Sequence, residues 1–286
     1  MIDINAMVFI LGLGAMVKIL VCVKSVPETE SNFKINSAGN SYDQSGLQYK
    51  VNEYDLAAIE EAVRVKEKFK DVEITVLSVG PARVDAEIRK AMGLGCERGV
   101  RIDEPKANEK DALEIASHIA AWAQDKNFDL IFCGVMSEDL QRCSIGPMLA
   151  QLLDLPCATT VIYLSLSDDC KKIVCQRELE AGLRENVELK LPALVTIQTG
   201  INIPRYASLS NVLRVRKMQI PVIPSNTLAT ATVSEGVVKA SLPERSKVCQ
   251  FLEGDPEKVA EQLIEKIRER VNVGLKSPPL MGENES

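Results

Sequence analysis

The sequence predicts an α/β fold on a mostly parallel sheet, and three observations carry that expectation. Short runs rich in Val, Ile and Leu, at Val17 to Val23, Val72 to Val79 and Leu130 to Cys133, lack the alternation of a half-wetted sheet and suit strands buried on both faces. Between them lie longer stretches with apolar residues three and four apart, the period of amphipathic helices. Aromatics are 4% of a chain that is 46% hydrophobic, which favours an aliphatic layered core over an aromatic-rich β-sandwich.

The elements follow in order. Ala6 to Val17 is an apolar run too short to span a bilayer, with no Lys or Arg before it. Met16 stands directly before the first strand, so residues 1–15 read as a start-site extension. Pro27 ends the first strand region, and Phe33 to Asp43 forms a small hairpin around Ser37 to Asn40. Asn52 is placed to cap a helix, with Glu53 and Asp55 in its first turn, where the dipole favours acids. Leu56, Ile59, Ala62 and Val63 give this helix an apolar stripe; Glu60, Glu61, Arg64, Lys66 and Lys68 form its expected wet face. The second strand closes at Gly80-Pro81. A helix through Val84, Ile88, Ala91 and Met92 ends at Gly93 and Gly95, and a short strand covers Gly99 to Ile102. The next helix, Asp111 to Gln124, carries His118, the sole histidine, which as a lone residue reads as packing or surface.

The stretch from Asp129 to Pro156 organises the candidate site. Leu130 to Cys133 is the fourth strand, Gly134 ends it, and a polar loop leads to Ser144, placed as N-cap before Gly146 and Pro147. Strand, polar loop and helix N-terminus is a phosphate-binding geometry, because free N–H groups and the positive end of the helix dipole face the ligand. The first 155 residues thus read as a Rossmann-like β-α alternation with right-handed crossovers, whose ligands lie outside the strands' carboxyl ends.

After Pro156 the pattern changes. Thr159 to Leu166, Lys172 to Arg177, Val187 to Lys190 and Ala193 to Gln198 read as antiparallel additions at one sheet edge. Ile201 to Val215 sets apolar side chains among cations, as a partner-binding surface does. From Pro221 a linker rich in Ser, Thr and Ala leads to a helix from Asp255-Pro256 to Val271, striped with Val259, Leu263, Ile267 and Val271. The expected division is 1–15, extension; 16–220, nucleotide-binding domain; 221–286, linker, docking arm and a disordered tail over Ser277 to Ser286.

Composition excludes several classes. A net charge of −6 does not suggest a nucleic-acid surface. None of the eight cysteines has C-x-x-C spacing, which with one histidine disfavours zinc and iron–sulfur sites. Cysteines within apolar runs suit a reducing cytoplasmic setting.

Several motifs carry a family resemblance. Val17 to Lys24 followed by Pro27, N-E-Y-D-L-A-A-I-E-E-A-V-R-V-K-E at 52–67, G-P-A-R at 80–83 and I-R-K-A-M-G-L-G-C-E-R-G-V at 88–100 are the first four. R-E-L-E-A-G-L at 177–183, L-P-A-L-V-T at 191–196 and P-R-Y-A-S-L-S-N at 204–211 complete the set. Over residues 16–272 the chain resembles the β subunit of electron-transferring flavoprotein, with its nitrogen-fixation-associated and electron-bifurcating relatives. The resemblance implies an adenine nucleotide α-hydrolase-like sheet and an electron carrier rather than a stand-alone enzyme. It implies a partner α subunit holding FAD, an acyl-CoA dehydrogenase type of donor as in fatty acid oxidation, and no direct membrane insertion. It also implies a nucleotide in this chain, AMP in simple carriers or a second FAD beside an NADH site in bifurcating ones.

Carried over, the nucleotide site falls on Cys22, on Asn52, Glu53, Tyr54 and Asp55, on Val79, and on the loop Gly134, Val135, Met136, Ser137, Glu138, Asp139, Arg142, Cys143, Ser144, Ile145 and Gly146. The family loop usually reads G-[KR]-Q-[AS]-I-D-[DG]-D-x-x-Q-[TV]-G. Here Val135, Met136 and Ser144 replace its basic residue and two glutamines, which bears on base and ribose recognition but not on backbone amides at a helix N-terminus. Arg142 is an added cation. AMP, a second FAD and no nucleotide stay open. The implied partner surface is Arg205, Tyr206, Leu209, Val212, Leu213, Arg214 and Lys217, with Leu209 as anchor. An ATP pyrophosphatase-like protein is the alternative, but it needs a Gly/Ser-rich loop after the first strand, where this chain has Lys24-Ser-Val-Pro-Glu-Thr.

Overall fold

The computed structural model describes residues 16–231, 239–243 and 249–270. The expected 1–15 extension, Val271 and the tail lie outside them. The elements are β1 (Val17–Cys22), β2 (Ser25–Pro27), β3 (Tyr49–Val51), α1 (Glu53–Lys68), β4 (Val72–Gly80), α2 (Asp85–Leu94), β5 (Arg98–Asp103), α3 (Ala112–Ala123) and β6 (Leu130–Gly134). Then come α4 (Ile145–Leu152), β7 (Cys157–Leu166), β8 (Lys172–Glu178), β9 (Arg184–Lys190), β10 (Ala193–Ile197), α5 (Leu209–Arg216), β11 (Val222–Pro224) and α6 (Pro256–Arg270).

Nine strands form one sheet in the order β11-β5-β4-β1-β6-β10-β7-β8-β9. From β11 to β7 every pairing is parallel; β7-β8 and β8-β9 are antiparallel. The expected α/β class with an antiparallel edge is what the chain adopts. Two elements differ from expectation. The run at 193–198 is no antiparallel edge: β10 lies between β6 and β7, parallel to both, and all five of its residues are buried. Residues 222–224 are no linker, because β11 pairs with β5 and carries the sheet past residue 220. The chain divides into two compact units between Ser241 and Leu242.

Two apolar layers cover the sheet. Ile59 and Val63 of α1, Ile88 and Met92 of α2 and Val215 of α5 pack against Ile19, Val21, Ile74, Val76 and Phe132 on one face. Ile119 and Trp122 of α3 and Leu149 of α4 pack against Leu20, Leu77 and Ile131 on the other. Alternate residues of β1 thus enter opposite layers, as period-two side chains on a doubly covered sheet must. Each large side chain buried completely here contributes about 1.5–3 kcal/mol.

The hairpin expected at 33–43 is a bridge between Ile35 and Tyr42, turning at Gly39 in the left-handed region (φ +70°). Asp111 caps α3 in a reciprocal capping box with Glu114. His118 is buried on α3, its Nε2 3.9 Å from a Glu104 carboxylate oxygen. In the second unit, the Asp255 carboxylate accepts from the Lys258 N–H at the start of α6, and Leu263, Ile264 and Ile267 are exposed. None of the described helices is long and apolar enough to cross a membrane.

Candidate functional site

Strand order reverses at β1, with β4 and β5 on one side and β6 and β10 on the other. Loops leaving β1 and β6 therefore part at their carboxyl ends, which opens a crevice. A cleft partly open to solvent occupies this place. Its lining includes thirteen of the expected residues: Cys22, Asn52, Asp55, Val79, Gly134, Val135, Met136, Ser137, Arg142, Cys143, Ser144, Ile145 and Gly146.

Glu53, Tyr54, Glu138 and Asp139 are not among the residues lining the cleft; their contacts hold its loop. The Glu138 carboxylate accepts from the Glu53 N–H and pairs with Lys50 at 3.0 Å. Asp139 pairs with Lys24 at 2.7 Å. Tyr54 packs against Gly134, where an added Cβ would lie 2.6 Å from the Tyr54 Cβ and 2.9 Å from its carbonyl carbon. No residue with a side chain fits that closeness without movement.

Asn52 precedes α1 as expected but makes no capping bond. Its amide instead donates to the Met136 carbonyl (2.8 Å) and accepts from the Glu138 N–H (3.1 Å). Asp55, buried beside it, accepts from the N–H groups of Lys24 (2.7 Å) and Gly134 (3.0 Å), tying the exits of β1 and β6 together. Burial pushes its carboxyl from 3.8 up to about 7, against those two bonds.

Ser144 stands at the N-cap of α4 but makes no capping bond, and its Oγ is buried without a partner among the described residues. Gln141 and Cys143, just before it, are non-glycine residues at φ +52° and +51°. Such conformations cost about 1–3 kcal/mol each and collect at ligand clamps.

The sequence reading missed the opposite wall. Arg83, Asn108, Lys110, Ile115 and Ile119 also line the cleft. Arg83 lies over the Tyr49 ring, 3.6 Å from its centroid, and donates to Ser25 Oγ. Lys110 pairs with Glu114, and Arg142 reaches across to Asp111 at 3.2 Å. Their position in chain order gave no sign of this, although G-P-A-R at 80–83 was already a visible motif.

The partner surface expected at 205–217 divides in two. Tyr206 is 98% exposed, Leu209 75% and Leu213 50%; Arg214 and Lys217 are exposed and Val212 half-buried. Arg205 is no free cation, because its guanidinium binds Glu60 and Glu67 on α1. The wet face expected for α1 is corrected by the same contact: Glu60 and Glu61 are buried, under the segment that carries Arg205 and Asn202. Burial raises the Glu60 carboxyl, but Arg205 outweighs this and holds it below its usual range. Arg89 of α2 closes the end of α5 by donating to the Val215 and Met218 carbonyls. The loop is thus rigidly founded, with its apolar tips facing water.

A family profile described as "Electron transfer flavoprotein domain" matches residues 40–246. The chain is 34% identical over 260 residues to the electron transfer flavoprotein subunit beta of Methylophilus methylotrophus, covering 88% of this chain and 98% of that one. It is 33% identical to the Sus scrofa subunit beta over 258 residues and 30% identical to the Bacillus subtilis one over 260, covering 89% of this chain and 98–99% of theirs.

Proposed function

The chain belongs to the electron transfer flavoprotein β-subunit family, and from that premise we propose how its surfaces divide the work. It is the β half of an electron carrier that pairs with an α subunit. FAD held mainly by the α subunit supplies the redox chemistry, and this chain binds, orients and docks. Segment 205–217 receives a dehydrogenase donor of the acyl-CoA dehydrogenase type. The cleft holds AMP, its phosphate against the N-terminus of α4.

The observation that carries the AMP reading is the uncapped start of α4 beside the partnerless Ser144 Oγ, with Arg142 at the rim. Backbone N–H groups at a helix N-terminus suit a phosphate. The Arg142–Asp111 pair is half-exposed, so it is worth at most about 1 kcal/mol and can give way to a phosphate. A second FAD is the other reading, favoured by the apolar walls of Val135, Met136, Leu140, Ile115 and Ile119. Co-expression with the α subunit, denaturing release and mass identification of every nucleotide decide between them. Arg142→Ala is expected to weaken AMP binding about tenfold, measured by titration calorimetry; unchanged affinity removes Arg142 from the phosphate site.

The helix α6 is assigned to docking on the α subunit. Its exposed Leu263, Ile264 and Ile267 form a stripe that needs burial. Truncation after Leu228 is expected to lower heterodimer affinity at least tenfold while far-ultraviolet dichroism and thermal unfolding show a folded sheet. Unchanged pairing would return the helix to its own chain.

A further inference from the structure

The floor of the cleft carries two thiols that neither phosphate binding nor partner docking uses. Cys22 ends β1 and Cys133 lies on β6; the register of these parallel strands pairs Val21 with Phe132, which sets the two cysteines side by side. Both are more than nine-tenths buried, at 8% and 4% exposure. Both belong to the apolar layer of Leu20, Ile131 and Leu149, and both line the cleft. Cys96 and Cys175 are also buried but lie away from the cleft lining, while Cys143 is exposed at its rim.

We propose that Cys22 and Cys133 form a dithiol site that captures an uncharged trivalent arsenical of the arsenoso class, R–As=O, at the floor of the cleft and in competition with nucleotide. Only the competition rests on the nucleotide reading; the capture stands on the thiol pair alone. Neighbouring strands lie about 4.8 Å apart, so the two thiols are near enough for one shared centre to bond both. Among the described residues no group of three or more His, Cys, Asp or Glu could hold a metal ion, so a four-coordinate ion such as zinc lacks its ligands here.

The chemistry balances without an oxidant. An arsenoso group, R–As=O, condenses with two thiols: both S–H bonds and the As=O bond break, two As–S bonds form, and the oxygen leaves as water with both protons. Arsenic stays trivalent and sulfur stays reduced. The facing Cys22 thiol, and then burial, keep the Cys133 thiol protonated well above the ordinary range. Reagents that need a thiolate, such as peroxide and alkylators, react slowly at such a thiol, while condensation removes its proton in the product water. The apolar wall of Leu77, Val79, Ile115 and Ile119 admits a neutral reagent.

The test uses the full chain and phenylarsine oxide, read by intact mass and peptide mapping. One equivalent is expected to add with loss of one water, bridging the Cys22 and Cys133 peptides, and a small dithiol should reverse it. Cys22→Ala and Cys133→Ala should each abolish this adduct, whereas Cys143→Ala and Cys157→Ala keep it. An adduct mapped to other cysteines, or one that survives both single variants, overturns the proposal. Should the alanine variants fail to fold, the wild-type peptide map alone decides. Saturating AMP should slow capture at least tenfold. Capture at the Cys22–Cys133 pair that AMP does not slow overturns the competition and counts against the nucleotide reading, while the dithiol site stands.

Discussion

Asp55→Ala is expected to lower the stability of the sheet domain by on the order of 3 kcal/mol and to empty the cleft of nucleotide. The buried carboxylate is the acceptor for two backbone N–H groups, those of Lys24 and Gly134. Removing it orphans both donors, and each buried unsatisfied donor costs about 1–3 kcal/mol; relief of the carboxylate's own desolvation offsets part of the sum. For a domain of this size, about 2–4 °C per kcal/mol implies a fall in melting temperature of roughly 6–12 °C. Lys24 and Gly134 both border the cleft, so the exits of β1 and β6 lose their common tie at the proposed nucleotide site. Thermal unfolding with and without AMP checks this, and a melting temperature within about 1 °C of wild type would show that Asp55 braces nothing.

The same residue predicts a pH dependence with a definite sign. Burial raises its carboxyl from 3.8 to about 7, so between those values the folded chain holds a proton that the unfolded chain has released. The contribution of protonated Asp55 is complete below about pH 3.8 and is lost as pH rises toward 7. Asp55→Asn cannot titrate. Across that window the wild type should lose stability relative to Asp55→Asn, and parallel curves would show that the carboxyl does not titrate there.

Leu209→Ala should slow electron transfer from the cognate dehydrogenase about tenfold or more, read as kcat/KM, and leave flavin content and melting temperature unchanged. At 75% exposure the side chain has little of its own fold to lose. One fully buried leucine contributes about 1.5–3 kcal/mol, and each 1.4 kcal/mol is tenfold. Arg214→Glu should act differently, on association rate and its salt dependence, as exposed charge does. Arg205→Glu should instead disorder the loop, because its partners Glu60 and Glu67 belong to the same chain. A large fall in melting temperature for Leu209→Ala with unchanged turnover would make it a core residue and end the recognition reading.

The sequence by itself determined the elements and their chemistry. Residue spacing marked the strands at 17–23, 72–79 and 130–133, the helix after Asn52, and the helix from Asp111. It also placed the phosphate-type loop, because local period and turn chemistry are set by neighbours a few residues away. Thirteen of the expected cleft residues could be found this way, since strand ends and the loops that follow them collect at one edge of a parallel sheet. What only the tertiary structure decided is which distant groups meet. A run such as Ala193 to Ile197 reads alike at an edge or a centre. It became central because Leu130–Gly134 and Cys157–Val161 flank it on either side. Asn52 and Asp55 look like first-turn residues of a helix, yet their side chains serve a loop some 80 positions away. Arg205 looks like a free cation until Glu60, 145 residues earlier, takes it. Burial sets such pairings: a polar group removed from water must find a partner wherever the packing brings one, and sequence spacing carries no record of that distance.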